Sequence, residues 1–260
     1  MLNGRQLLPL FLRNKKENHA MQFVKGIRYC LGGFGLLLNP SLRAFVWLPL
    51  LVNTLVLGSA IYFGGDALNQ YVEGFLPEWL SWLGWIIKPV IFMLLAFVGF
   101  YIFSLLANII ASPFNGLLAE KTEFLLTGET VEQGGGWAAL VADIIPSILN
   151  ELSKLSYFLI RYLPLLVLFV IPGLNVIVPI LLFVVGAWFL TLEYTDYPMA
   201  NHGVSFSEQR QRLKDRRLLC MGFGCCVAVL LLIPVVNFFV MPVAVIGASV
   251  MWVREIKNDV

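Results

Sequence analysis

Charge is scarce in this chain. Only 13% of its 260 residues are Asp, Glu, Lys or Arg, while 59% are hydrophobic; an ordinary soluble domain is about 25% charged. The mean hydropathy is +0.82. A soluble surface cannot be covered with so few charges, which excludes a soluble enzyme, a disordered tail and a disulfide-stapled secreted domain. The formal net charge of +2 gives no broad basic surface to neutralise phosphates, so nucleic-acid binding is excluded as well. Four cysteines make no framework. Cys30 stands alone, and Cys220, Cys225 and Cys226 lie in an apolar run without metal-ligand spacing, where cysteine acts as a small hydrophobe. His19 and His202 are far apart, so no metal site is expected. No Walker motif and no H-E-x-x-H occur, and Ser112 beside Pro113 has no identifiable base; the chain reads as a non-enzyme with no cofactor. The LLPLFL run near the start is too short for a secretory h-region and is followed by RNKKENH, so no cleavable signal peptide is expected and residues 1–20 read as an appendage.

Long uncharged runs fill the rest. Ala44–Gly64 and Pro89–Ser112 each hold the twenty or so residues that cross ~30 Å of hydrocarbon. Two further runs, Tyr157–Leu192 and Leu218–Val253, are too long for one span and short for two spans and a loop. Both break at the centre on one pattern: I-P-G-L-N-V-I-V-P from Ile171 and I-P-V-V-N-F-F-V-M-P from Ile233. Proline lacks an N–H and restricts the residue before it, so each break is expected to end a helix. The arms before the breaks are then shorter than the bilayer core. That favours two hairpins that enter the membrane and turn within it, over two tightly turned pairs of full spans. The expected fold is an all-α membrane protein with two long transmembrane helices plus two Pro/Asn-broken membrane-entering helical hairpins. A single membrane domain covers 21–260: a lead-in helix at 21–38, spans at 44–64 and 89–112, a cytoplasmic helical segment at 113–156, and hairpins at 157–192 and 218–253. The lead-in helix, with Lys25 and Arg28 on one face and a flexible GGFG behind them, suits the membrane surface. Gly134–Gly136 mark a break between two helical pieces. Ser207 reads as the N-cap of the charged run that ends at Arg217.

Lys and Arg set the sidedness. Arg5, Arg13, Lys15, Lys16, Lys25, Arg28 and Arg43 precede the first span, and only Lys88 lies between the spans. Arg210, Arg212, Lys214, Arg216 and Arg217 follow the first hairpin, and Arg254 and Lys257 follow the second. Cytoplasmic N- and C-termini satisfy the positive-inside rule, for hairpins and full pairs alike.

Three constellations carry polar chemistry. In L-N-P-S-L-R, Asn39 is a favoured N-cap and Pro40 a favoured N1 residue. The first turn then offers N–H groups of Ser41, Leu42 and Arg43, and the guanidinium of Arg43, to an anion. The plainer role for Arg43 is snorkelling to headgroups. S-P-F-N-G-L-L-A-E (Ser112–Glu120) and L-E-Y-T-D-Y-P-M-A-N-H (Leu192–His202) supply Asn115, Glu120, Glu193 and Asp196 near the membrane boundary. Arg161 is costly in hydrocarbon and needs a partner or water, with Glu193 or Glu120 as candidates. These five residues form either a pathway or a structural ion-pair network.

With N-P-S-L-R-x-F-V-x-L-P-L-L-V-N (Asn39–Asn53) and the two I-P-x-x-N breaks, these motifs stand in an order that resembles the CysZ family of bacterial inner-membrane sulfate transporters, from about Phe23 to Trp252. The resemblance implies sulfate uptake across the bacterial cytoplasmic membrane for cysteine biosynthesis, channel-like or ion-coupled, by a homo-oligomer in membrane lipid. It also implies sulfate binding at a Gly-Leu-Arg-Arg-like turn that maps onto Ser41, Leu42, Arg43 and Ala44. Ser41 keeps the backbone donor and adds a hydroxyl. Ala44 removes one charge, which Lys25 or Arg28 would have to replace. The rival reading is a non-transporting scaffold or envelope-integrity protein whose charges close into pairs.

Overall fold

The computed structural model describes residues 19–44, 84–129 and 137–257, and of 45–62 only Trp47, Leu51, Thr54, Leu55, Gly58, Ser59 and Tyr62. Described residues are helical apart from short turns, and no strand occurs among them. The helices are α1 (His19–Leu37), α2 (Gly84–Thr127), α3 (Trp137–Phe169), α4 (Val178–Ala200), α5 (Phe206–Lys214), α6 (Arg217–Leu231) and α7 (Pro234–Met251), the last continued by a π-turn at Trp252–Ile256. A further helix opens at Pro40, and the described residues up to Tyr62 are helical. The rest of that expected span, Lys88's side chain and Gly134–Gly136 lie outside the described residues. The chain divides into two compact units, Ala44–Phe114 and the remainder.

Among the described residues, three helical stretches are long and apolar enough to cross a membrane: Leu152–Phe169, Val178–Ala200 and Pro234–Ile256. At 1.5 Å per residue the two longer ones reach about 35 Å. The apolar helix α6, with 15 residues, reaches only about 22 Å. This is an all-α membrane protein.

Several element ends differ from the sequence expectation. The helix that carries 89–112 does not stop at Ser112. It runs through Pro113 to Thr127 as one 44-residue helix; proline is tolerated within apolar helices more readily than in soluble ones. Tyr157 likewise opens no new helix, because α3 is continuous from Trp137. The N-cap of α5 is Ser205, whose hydroxyl accepts the Glu208 N–H at 3.4 Å, and not Ser207. S-F-S-E is the Ser-x-x-Glu signature of a helix start, and burial of Phe206 fixes the register.

The core of the larger unit is built on glycine. Helix α1 packs against α6 and α7, α4 packs against the same two, and α3 lies on α4. A Cβ on Gly26 would strike the backbone of Leu219 and Phe223, and one on Gly222 would strike the backbone of Phe23. Gly33 faces the Val243 carbonyl and Gly247 the Tyr29 carbonyl in the same way. Glycine therefore stands on both sides of each crossing, letting backbones approach as small residues do in membrane bundles. The GGFG segment is thus helical, with Gly33 buried and Gly32 and Gly35 open, and α1 packs into this core along Gly26, Tyr29, Cys30 and Gly33. Helix α7 is apolar all round and buried from Val243 to Met251, as expected of a helix surrounded by protein.

Candidate functional site

Asn39 shapes the start of the helix at Pro40. Its side-chain oxygen accepts the Ser41 N–H at 3.0 Å, and its carbonyl accepts the N–H of Leu42 at 3.0 Å and of Arg43 at 3.2 Å. The three donors expected to face an anion are therefore spent inside the turn. The Leu42 side chain is fully buried, while Ser41, Arg43 and Ala44 are exposed. What the turn presents is the Ser41 hydroxyl and the Arg43 guanidinium, which forms no ion pair among the described residues. Lys25 is not at hand to reinforce it: its ammonium lies 2.9 Å from Glu255. Glu255 also accepts from the Tyr29 hydroxyl at 2.6 Å and from Arg216 at 3.4 Å.

A second polar feature runs down one face of α4. Glu193, Asp196, Tyr197 and Asn201 recur at the three- and four-residue steps that align side chains on a helix. Each meets a partner. Lys154 of α3, with only 8% of its side chain exposed, sits 2.9 Å from Asp196 and 3.6 Å from Glu193. Asn115 of α2, 6% exposed, donates to the Tyr197 hydroxyl at 3.4 Å. Asn201 donates to the Gly116 carbonyl at 2.9 Å. Beyond the helix end, the His202 Nε2 lies 2.9 and 3.0 Å from the two oxygens of Glu123, and Lys257 donates to the same carboxylate at 2.8 Å. The turn that aims His202 is a Schellman motif closed by Gly203 at φ +67, the left-handed position that glycine takes without strain. The stripe is a line of alternating donors and acceptors from Lys154 to Lys257, flanked by apolar helix. Hydrogen bonds and opposite charges compensate its burial. Chemically it offers a buried ammonium between two carboxylates, and neutral Asn and Tyr groups able to exchange partners.

The structure gathers three sequence-expected residues here, Asn115, Glu193 and Asp196. It does not gather Arg161 with them. The Arg161 guanidinium donates to the Tyr157 carbonyl at 3.2 Å and lies 3.5 Å from the centre of the Tyr157 ring, so neither Glu193 nor Glu120 is its partner. The cation that answers Glu193 and Asp196 is Lys154, which sequence reasoning passed over. Buried Glu123 was passed over as well. The α4 residues Tyr197 and Asn201 were legible from their spacing. Among the described residues no cluster of His, Cys, Asp and Glu has the makings of a metal site.

Residues 29–242 match the sequence profile of a family described as Sulfate transporter CysZ/Etoposide-induced protein 2.4. The chain belongs to this family. It is 43% identical to the sulfate transporter CysZ of Vibrio parahaemolyticus, across 90% of this chain and 96% of that protein. It is 39% identical to the protein of the same name from Pectobacterium atrosepticum, across 96% and 92%, and 40% identical to that from Pseudomonas fluorescens, across 89% and 94%. The profile match covers the Pro40 helix start and the α4 stripe from Lys154 to His202.

Proposed function

We propose that this chain transports sulfate across the bacterial cytoplasmic membrane and supplies it for cysteine biosynthesis, as a transporter and not an enzyme. The observation that carries this reading is near-full-length similarity to relatives named sulfate transporters. In the proposed mechanism, sulfate is first held at the helix start by the Arg43 guanidinium and the Ser41 hydroxyl. The Ser41 N–H joins only when the anion displaces the Asn39 side chain that it already bonds, while the Leu42 and Arg43 N–H groups stay on the Asn39 carbonyl. Leu42 acts by anchoring the turn in the core, and Ala44 leaves room beside Arg43. The α4 stripe serves as a polar route whose pairs open in turn. Lys154 exchanges a carboxylate for sulfate, while Asn115 and Tyr197 donate to its oxygens. Glu193 and Asp196 repel sulfate unless Lys154 or a proton neutralises them, which is where passive flux and ion coupling would part ways. Glu120 borders this route on α2. The N- and C-termini are cytoplasmic, the two Pro/Asn hairpins enter the membrane, and the chain works as a homo-oligomer in lipid.

The ion pairs of the stripe are closed as they stand, which is what a non-transporting scaffold would also show. Labelled-sulfate uptake into liposomes containing the purified protein separates the two. Saturable uptake above protein-free liposomes, reduced by R43A with folding intact, is expected. Uptake equal to that of empty liposomes removes the transport reading, and uptake unchanged in R43A removes Arg43 from the site.

A further inference from the structure

Two arginines share one aromatic ring away from the α4 stripe. The guanidinium carbon of Arg161, on α3, lies 3.5 Å from the centre of the Tyr157 ring, and that of Arg210, on α5, lies 4.7 Å from it and 5.1 Å from the Phe206 ring. The two cations are therefore no more than about 8 Å apart, held by the attraction of ring faces for positive charge. Neither forms an ion pair with a carboxylate among the described residues. The Arg210 Nε is shielded from water and has no hydrogen-bond partner, a buried donor that ordinarily finds one. The Tyr157 hydroxyl accepts from the Trp188 indole at 3.1 Å and keeps its own proton as a further donor.

The surroundings identify the anion that fits. Arg161 sits inside the apolar stretch Leu152–Phe169, and its side chain turns back one helical turn toward Tyr157, the direction in which an arginine snorkels to the membrane interface. There it meets α5, whose sequence FSEQRQRLK is polar. On α3 the face of Arg161 continues with exposed Pro164 and half-buried Leu165 and Leu168, an apolar track at the three-, four- and seven-residue steps that share a helix face. Two uncompensated guanidiniums at the rim of an exposed apolar face match a tetrahedral oxyanion that carries acyl chains. Guanidinium forks bind phosphate through parallel N–H···O bonds. We propose that Arg161 and Arg210, seated on Tyr157, bind the phosphate of an acidic phospholipid headgroup, with the acyl chains lying along Pro164, Leu165 and Leu168.

The test uses the full chain in detergent, titrated with dioleoyl phosphatidylglycerol or dioleoyl phosphatidylcholine, bound lipids being counted by native mass spectrometry. The unaltered protein is expected to hold the acidic lipid about tenfold or more tightly than the zwitterionic one, since each basic side chain near the headgroups adds attraction. In R161Q/R210Q the preference should fall to within about twofold. R161Q alone changes one exposed side chain, keeps the fold, and should lower the preference at least about threefold. A preference unchanged in R161Q overturns the proposal. A parallel arm titrates sodium sulfate. If R161Q/R210Q weakens sulfate binding and leaves the lipid preference intact, the site serves the free anion and the lipid assignment is wrong.

Discussion

In the first hairpin Ile171, Pro172 and Asn175 lie between helices, in the turn 170–177 that separates α3 from α4. In the second, Pro234 opens α7 directly after an extended Ile233, and Asn237 and Pro242 are both inside that helix. Both motifs follow the end of a helix, at Phe169 and at Leu231, but the first occupies a turn while the second opens the next helix at once. The difference follows from the surroundings. Gly173 sits at φ +91 with no atom near its Cβ position, so the first turn has the freedom and the space to spread, and Pro179 then opens α4. The second hairpin has no glycine at the hinge, and α7 is gripped from the side by α1 and α4. Burial tells the same story: 11% of Leu152–Phe169 is buried inside the protein, against 61% of an 18-residue apolar window within Pro234–Ile256. The first hairpin's leading arm is mostly exposed and carries Arg161, and the buried Lys154 precedes it on α3. The second is an interior element closed by glycine contacts.

Substitutions can break that contrast. The largest effect is expected at the glycine crossings of the second hairpin. Gly222→Leu drives a side chain into the Phe23 backbone, which cannot rotate away, and should cost about 3 kcal/mol or more. Loss of a monodisperse peak on size-exclusion chromatography, together with a lowered Tm, is the expected result, and a native Tm would show that the α1–α6 crossing is not tight.

Next comes the charge that α3 carries just before the first hairpin. Lys154→Met leaves Asp196 and Glu193 facing each other without a cation. A fully buried pair broken in this way loses about 3–5 kcal/mol, and partial exposure of both carboxylates reduces that to about 1–2 kcal/mol. Adding Asp196→Asn to Lys154→Met should recover part of the Tm, whereas additive losses would mean the two residues do not interact. Sulfate uptake should fall in the single variant if the stripe is the route.

Gly173→Ala tests the open turn. A Cβ meets nothing there, so the cost is only that of a left-handed backbone, about 1–2 kcal/mol. Gly35→Ala, in an equally open position of helix α1, should change stability in the opposite direction by about 0.5–1 kcal/mol. Thermal unfolding of the two variants should therefore shift with opposite sign.

The smallest effect belongs to the connector between the hairpins. Ser205→Ala removes the cap of α5 and should cost about 1 kcal/mol, while Ser207→Ala stays within a few tenths. Equal shifts would return the N-cap to an open question.

Much of this was legible in the residues. Low charge and long apolar runs gave the membrane class, and the order of the Asn39, Ser112 and Leu192 motifs gave the resemblance. Asn115, Glu193 and Asp196 were found because polar groups beside apolar runs are costly and so stand out. Lys154 escaped because it lies in the mixed sequence N-E-L-S-K-L-S, where nothing distinguishes a buried lysine from a solvated one. Arg161 was seen, but the candidate partners were carboxylates, the default answer to a cation, and sequence does not show an aromatic ring one turn back. The Ser41, Leu42 and Arg43 donors were read from the cap rules, yet those rules leave open whether the Asn39 side chain satisfies the turn itself.

The sequence by itself determined that this chain lives in a membrane, that it is helical, and where its costly polar residues lie, because hydropathy and helix periodicity are local properties of the chain. Tertiary structure alone decided which of the two proline motifs occupies a turn and which opens a helix. It also decided which glycines are contacts, and which cation meets which carboxylate. Those outcomes depend on what another helix brings within a few ångströms, and no stretch of sequence contains its own neighbour.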